Sequence, residues 1–227
     1  MPVKTWRKTA RRRLNLKKPV ASFAQEGEDR ILRRIFEKQR NGFYVDVGAH
    51  HPFRFSNTAI FYNRGWHGIN IDPLPNTINL FNRHRPRDIN LEVGVADKAD
   101  ELTYFMFEEP ALNTCNKAVA EERKINGISN MIGSITVPIL PLSNILDRYL
   151  EINRMIDFMT IDAEGMDFEV LKSNNWEKYT PRIVVMESLD CDTINDVLAS
   201  PPVRYLNRYG YEVIAKTLLS VFLEKRI

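Results

Sequence analysis

An α/β fold is what the sequence predicts: a mostly parallel sheet between two helical layers, closed near the C-terminus by an antiparallel strand. Three observations predict it. Phe43-Tyr44-Val45-Asp46-Val47-Gly48 and Gly68-Ile69-Asn70-Ile71-Asp72 are apolar runs about twenty residues apart, the spacing of one β-α-β unit. Ile156 to Gly165 and Pro181 to Glu187 repeat the pattern, each an apolar run ending on acids. Tyr211 to Ala215 and Leu219 to Leu223 lie too close together for a crossover helix and read as an antiparallel pair.

In chain order, residues 1–20 form a basic arm with eight Lys or Arg and no acid. The formal charge of the chain is +3, so the body, with 24 basic against 29 acidic residues, carries about −5. A mildly acidic body argues against a broad nucleic-acid footprint, which needs a basic face. Trp6, Leu14 and Leu16 interleave with the arm's charges, giving either a short surface helix on anionic lipid or a solvated leader. Residues 21–227 form one domain.

Ile31, Leu32, Ile35 and Phe36 keep helical spacing, and Asn41-Gly42 is expected to close that helix. After the first strand a helix is expected within 52–64, capped by Ser56 or Asn57. Another runs from Asn76 to Arg85, where Pro86 stops it. Residues 89–96 read as the third strand and 101–108 as a further one. Residues 109–136 break the rhythm with a short helix from Asn116 to Asn126, and an insertion this long suggests a lid or substrate-selecting segment. Helices follow at 143–151 and 167–173, then a helix interrupted by Pro201-Pro202 within 193–208.

Cys115 and Cys191 are far apart and form no C-x-x-C, so neither a zinc site nor a disulfide framework is implied, and a reducing, cytoplasmic setting fits. No apolar run reaches membrane-spanning length.

The chemistry is expected where strands end, since open α/β sheets bind ligands beyond their carboxyl ends. Asp46, Asp72, Glu92, Asp162 with Glu164, and Glu187 each stand at such an end. An anionic crevice of that kind calls for a cationic ligand group. Gly48 lets the first turn approach a ligand, yet Ala49-His50-His51-Pro52 after it supplies no second glycine. That rules out a dinucleotide fingerprint and suits a cofactor without phosphates, S-adenosylmethionine (SAM), with S-adenosylhomocysteine (SAH) as product. Gln25 and Asp46 are expected at the methionine end, Asp72 on the ribose, and Glu92 or residues 93–95 beside the adenine. Candidates for a general base are His50, His51, Asp162 and Glu164, with Asp162 the first choice. Alternatively, Asp162, Glu164 and Glu187 could hold Mg²⁺, which is not the favoured reading.

The chain resembles the FkbM family of SAM-dependent methyltransferases. The likeness rests on Gln25 to Asp29, Tyr44 to Ala49, Ser56-Asn57-Thr58, Gly65-Trp66, Gly68 to Pro73, Gly94-Val95-Ala96 and Ile161 to Gly165, in order across residues 21–190. It implies a class I SAM-methyltransferase (Rossmann-like) three-layer sandwich with a seven-stranded sheet. Ala49, Asn57 and Asp162 then join the cofactor side. The implied activity is O-methylation of a sugar, glycan or related secondary metabolite, often in polysaccharide biosynthesis. Ala163 departs from the valine or leucine common there, and 109–136 matches weakly, so the acceptor is not carried over. A nucleic-acid methyltransferase and a non-catalytic, membrane-associated partner are the competing expectations.

Overall fold

The computed structural model describes residues 21–189, 191 and 193–226; the basic arm at 1–20 lies outside the described residues. Strands β1 (Phe43–Val47), β2 (His67–Ile71) and β3 (Ile89–Leu91) are joined by helices α2 (Ala59–Tyr62) and α3 (Thr77–His84), after an opening helix α1 (Glu28–Ile35). Strands β7 (Phe158–Ile161), β8 (Ile183–Glu187), β9 (Tyr211–Lys216) and β10 (Ser220–Lys225) complete a seven-stranded sheet ordered β3-β2-β1-β7-β8-β10-β9. Within that sheet β10 alone runs against the direction of the other six strands. Counted among themselves the seven strands run 3-2-1-4-5-7-6, and the order reverses between β1 and β7. The fold is the class I arrangement expected from the sequence.

The layers follow from strand alternation. Val45 and Val47 point to one core with Ile69, Ile71, Met159 and Ile161. Against it pack α5 (Leu142–Tyr149), α6 (Asp167–Ser173) and α8 (Pro201–Asn207), through Leu146, Leu171 and Leu206 among others. Tyr44, Phe158, Val185 and Phe222 point the other way, onto Leu32 and Phe36 of the first helical segment and Phe61 of α2. Every residue of β1 is buried, as a central parallel strand requires. A helix α7 (Ile194–Ala199), opened by a Thr193–Asp196 capping box, is separated from α8 by Ser200 ahead of the two prolines.

Four local expectations are corrected. Helix α1 ends at Phe36, six residues before Gly42, as that ring enters a cluster with Phe61, Trp66 and Phe158. Gly42 serves close packing instead, because a Cβ there would lie 2.3 Å from the Trp66 ring. Helix α2 has only four residues, since residues 52–58 form a loop organised by Arg85. Arg85 is fully buried and donates to Ser56 Oγ (2.8 Å), Thr58 Oγ1 (2.7 Å) and the Pro52 carbonyl.

The expected third strand is two. After β3, residues Glu92-Val93 carry the chain off the main sheet into β4 (Gly94–Val95). With β5 (Asp100–Phe107) and β6 (Met131–Leu140), β4 forms a second sheet ordered β4-β6-β5. The first six residues of β6 fall within the expected insertion. Its alternation is real, with Ile135, Val137 and Ile139 turned inward, but the outward Ile132, 63% exposed, blurs the pattern in sequence. The rest of the insertion is a 3-10 turn (Pro110–Leu112) and α4 (Lys117–Ile125), with Asn116 capping through its side chain. None of the described helices is long and apolar enough to cross a membrane.

Candidate active site

The crevice forms where β1 and β7 end. Gly48 turns with φ +78°, and a Cβ there would stand 1.7 Å from the Asp162 carbonyl oxygen, so the two strand-end loops pack backbone on backbone. The Asp162 N–H donates to the Val47 carbonyl (2.9 Å), while Gly48 and Ala49 donate to Ile71 (2.9 and 3.1 Å). Asp72 closes the third side. Its Oδ2 accepts from the His50 N–H (2.7 Å) and its Oδ1 from Leu74 (2.8 Å), so one carboxylate fixes both loops. Each oxygen keeps a lone pair for a further donor. Burial pushes Asp72 up to about 6, and the neighbouring charges of Asp46 and Glu92 act in the same direction.

Around this junction lies a cleft of about 830 Å³, counted together with the solvent space at its opening. Val95, Leu102 and Ile139 of the second sheet, with Val93 just ahead of it, give it an apolar wall, and Asp72, Asp162 and Glu164 a polar one. Gln25 and His50 also line it. A smaller cavity of about 370 Å³ adjoins it and shares Gln25, Phe55 and Asp162. Glu28, Asn57, Thr160, Glu187 and Ser220 make its lining largely polar.

Asp162, Glu164 and Glu187 bring one carboxylate oxygen each within 4.8 Å of one another. Burial, with Glu164 and Asp167 beside it, pushes Asp162 well above the usual carboxylate range. Its side chain is nevertheless open to solvent at the crevice, so repulsion by its acidic neighbours is the firmer cause. Glu187 is pushed up to about 10, by burial first and then by Asp162. Glu164 is raised by burial, against the pull of Arg123, to which it is paired.

Of the residues singled out in sequence, Gln25, Gly48, His50, Asp72, Asp162 and Glu164 meet in the larger cavity. Asn57 and Glu187 line the smaller one. The remaining four line neither. Asp46 turns into the protein to accept from Thr58 Oγ1 (2.6 Å). Ala49 is packed on Ile78 and Phe81. The His51 Nδ1 accepts from the Phe53 and Arg54 N–H groups, both at 3.0 Å, and so serves as a turn cap. Glu92 faces solvent and accepts from Asn76 (3.0 Å). Only residues 93–95 of that segment reach the cavity.

Sequence reasoning missed Phe55, Tyr104, Asn113, Cys115 and Met166, all in the cavity wall. The alternation of 101–108 was the one available signal, for Tyr104; nothing local marks the others. It also missed an ion pair beside the lining residues Phe55 and Pro110, where Arg54 donates to both Glu109 oxygens (2.8 and 2.9 Å). That bidentate pair holds Glu109 down to about 2.

The sequence profile of the methyltransferase FkbM domain matches residues 46–213. No curated protein matches. Among solved structures, a TehB-like SAM-dependent methyltransferase from Corynebacterium glutamicum ATCC 13032 Kitasato is 11% identical, with 98% of this chain and 97% of that one covered and a TM-score of 0.43. An O-methyltransferase from Bacillus cereus in complex with SAH is 11% identical, with 96% and 88% covered and a TM-score of 0.38. The delta-N METTL16 MTase domain is 10% identical, with 95% and 90% covered and a TM-score of 0.41. At these scores nothing is carried over from the three.

Proposed function

Because the chain belongs to the FkbM methyltransferase family, and is therefore a SAM-dependent methyltransferase, we propose that it methylates a hydroxyl of a sugar, glycan or related secondary metabolite. The observation that carries this reading is the pair of adjoining cavities with Asp162 at their junction. The larger fits the cofactor: a glycine turn that leaves no side chain in the way, an acid with free lone pairs at the end of β2, and apolar walls. Asp72 would hold the ribose hydroxyls, residues 93–95 would border the adenine, and Gln25 would reach the methionine end. The smaller cavity would take the acceptor. Its carboxylate, amide and hydroxyl groups suit a ligand that donates hydrogen bonds.

When bound, SAM supplies a methyl group on a cationic sulfur that leaves as a neutral thioether. The Asp162 carboxylate would orient the acceptor hydroxyl and take its proton as the new C–O bond forms. Positioning of well-oriented partners is worth up to about 7–11 kcal/mol. A shifted carboxylate is also better matched to proton transfer near neutrality than an ordinary one. The test is titration calorimetry with SAM and SAH, followed by a screen of sugar acceptors. Asp162→Asn is expected to keep SAH binding and lose methyl transfer by about 10²–10⁴-fold. Equal rates for both forms would remove Asp162 from the chemistry.

The three clustered carboxylates favour one second reading, a Mg²⁺ site. Arg123 already brings a positive charge to Glu164, so EDTA is expected to leave SAH affinity unchanged; a loss restored by MgCl₂ would reverse that preference. The basic arm at 1–20 would keep the enzyme at the inner membrane face, near a lipid-linked acceptor. Deleting it should abolish sedimentation with anionic liposomes.

A further inference from the structure

The turn Asp162–Met166 forms one wall of the larger cavity and is held in a costly conformation. Glu164 has φ +50° and Gly165 φ +88°, the left-handed region that a glutamate seldom adopts. Strain of this kind persists only where the surroundings hold it in place. One hold is local: the Asp167 carboxylate accepts from the Ala163 N–H (3.0 Å) and the Gly165 N–H (3.3 Å).

The other hold comes from the insertion, some forty to fifty residues earlier in the chain. Thr114 Oγ1 donates to the Glu164 carbonyl at 2.7 Å, and Asn116 Nδ2 to the Gly165 carbonyl at 2.9 Å. Arg123 of α4 donates to the Glu164 carboxylate and, at 2.5 Å, to the Leu112 carbonyl. Its side chain is 9% exposed and that of Glu164 20%, so this pair is shielded from screening as a surface pair is not. Val119 lies against Gly165 so closely that a Cβ there would stand 2.8 Å from its Cγ2. The insertion is thus docked on the turn through two carbonyls and one charged side chain.

We propose that Arg123 is a positioning residue, fixing from the insertion the turn that presents Asp162 at the junction of the two cavities. This rests on the reading of that junction as the methyl-transfer site. The insertion then acts as a clamp on the acidic turn rather than as a free lid. Arg123 also separates the roles of the acids. Glu164 is faced by Arg123 from α4, Asp167 from α6, Asp162 at the end of β7, Glu187 from β8 and Tyr104 from β5. Arg123 is the cation in that set. With it in place, Glu164 is engaged as an anion and turned toward α4, and Asp162 is left facing the crevice. Without it, Glu164 would have only acids and a phenol around it, and would hold its proton to higher pH.

The test compares wild type with Arg123→Ala, Arg123→Lys and Thr114→Val. Hydrogen exchange over 162–167 is read together with SAH affinity by calorimetry between pH 5 and 9. Arg123→Ala should expose the turn to exchange, weaken SAH about tenfold and move the pH dependence of binding upward. Arg123→Lys should recover part of each effect. Thr114→Val, which removes the neutral bond to the Glu164 carbonyl and the acceptor of the Asn116 N–H but leaves the charged pair, should loosen the turn less, and it serves if Arg123→Ala fails to fold. Loosened exchange with wild-type affinity and pH profile would reduce Arg123 to scaffolding and overturn the proposal, as would no change in either. Failure of the wild-type chain to bind SAH would sink the functional reading itself, and would be seen before any variant is compared.

Discussion

Asp72 shows how one residue serves fold and site together. Both its oxygens are engaged by backbone N–H groups of the loops they organise, and the carboxylate still lines the cavity. Hydrogen bonds to a charged acceptor contribute roughly 1.5–3 kcal/mol. Asp72→Ala is therefore expected to weaken SAM and SAH binding on the order of ten- to a hundredfold by calorimetry. Undiminished affinity would place the ribose elsewhere. Gly48 is less forgiving still. A methyl group there meets the Asp162 carbonyl at 1.7 Å, with a backbone angle that L-residues resist. Gly48→Ala should cost about 3 kcal/mol or more in urea unfolding, since neither loop can yield without breaking the bonds to Ile71 and Val47.

At the scale of elements, the second sheet and the insertion add walls to the crevice at the strand ends. β4, β5 and β6 supply the apolar wall, and the 3-10 turn with α4 brings Glu109 to Arg54 and Arg123 to Glu164. These two ion pairs should behave differently. The Arg54–Glu109 side chains are 43% and 41% exposed, so breaking that pair should cost only about 0–1 kcal/mol of stability. It joins two segments that line the cavity through Phe55 and Pro110. Glu109→Gln is therefore expected to raise the SAH dissociation rate in stopped flow while leaving the melting temperature almost unchanged. A slower or unchanged rate would show that ligand leaves by another route.

For the whole molecule, the concentration of buried acids sets how stability varies with pH. Asp46, Asp72 and Asp167 are each pushed up to about 6, burial being the largest cause in every case. Between about pH 4 and 6 the folded chain then binds more protons than the unfolded one. The contribution of these groups is greatest below their unfolded values and is lost as pH rises through about 6. Exposed acids such as Glu109 and Asp147 shift the opposite way, but solvent screens them. The ligand-free protein should thus show a urea midpoint that falls from pH 4.5 to 7. A midpoint that rises steadily over that range would mean the crevice acids are solvated and ordinary.

Much of this was legible in the residues themselves. The apolar runs at 43–47, 69–71, 158–161 and 183–187 fixed a parallel sheet, because a strand buried on both faces must be apolar throughout. Acids and glycines at the ends of those runs marked the rim, and Gln25, Gly48, Asp72 and Asp162 do meet there. What local sequence does not carry is direction. Asp46 and Asp72 look alike as strand-end acids, but they occupy different places in their strands. Asp46 is the penultimate residue of β1 and turns inward to Thr58, near the buried Arg85; Asp72 follows β2 and opens on the cavity. The two histidines after Gly48 are likewise separated only by the turn, which sends one ring into the cavity wall and makes the other a cap. Arg123 and Glu109 were invisible as site residues for a plainer reason. Their partners lie tens of residues away, and only packing of the second sheet and insertion against the main sheet brings them together. The sequence by itself determined the layers and the rim. Tertiary structure alone decided which carboxylates face the ligand space and which cations restrain them, because burial and charge pairing are properties of the assembled chain.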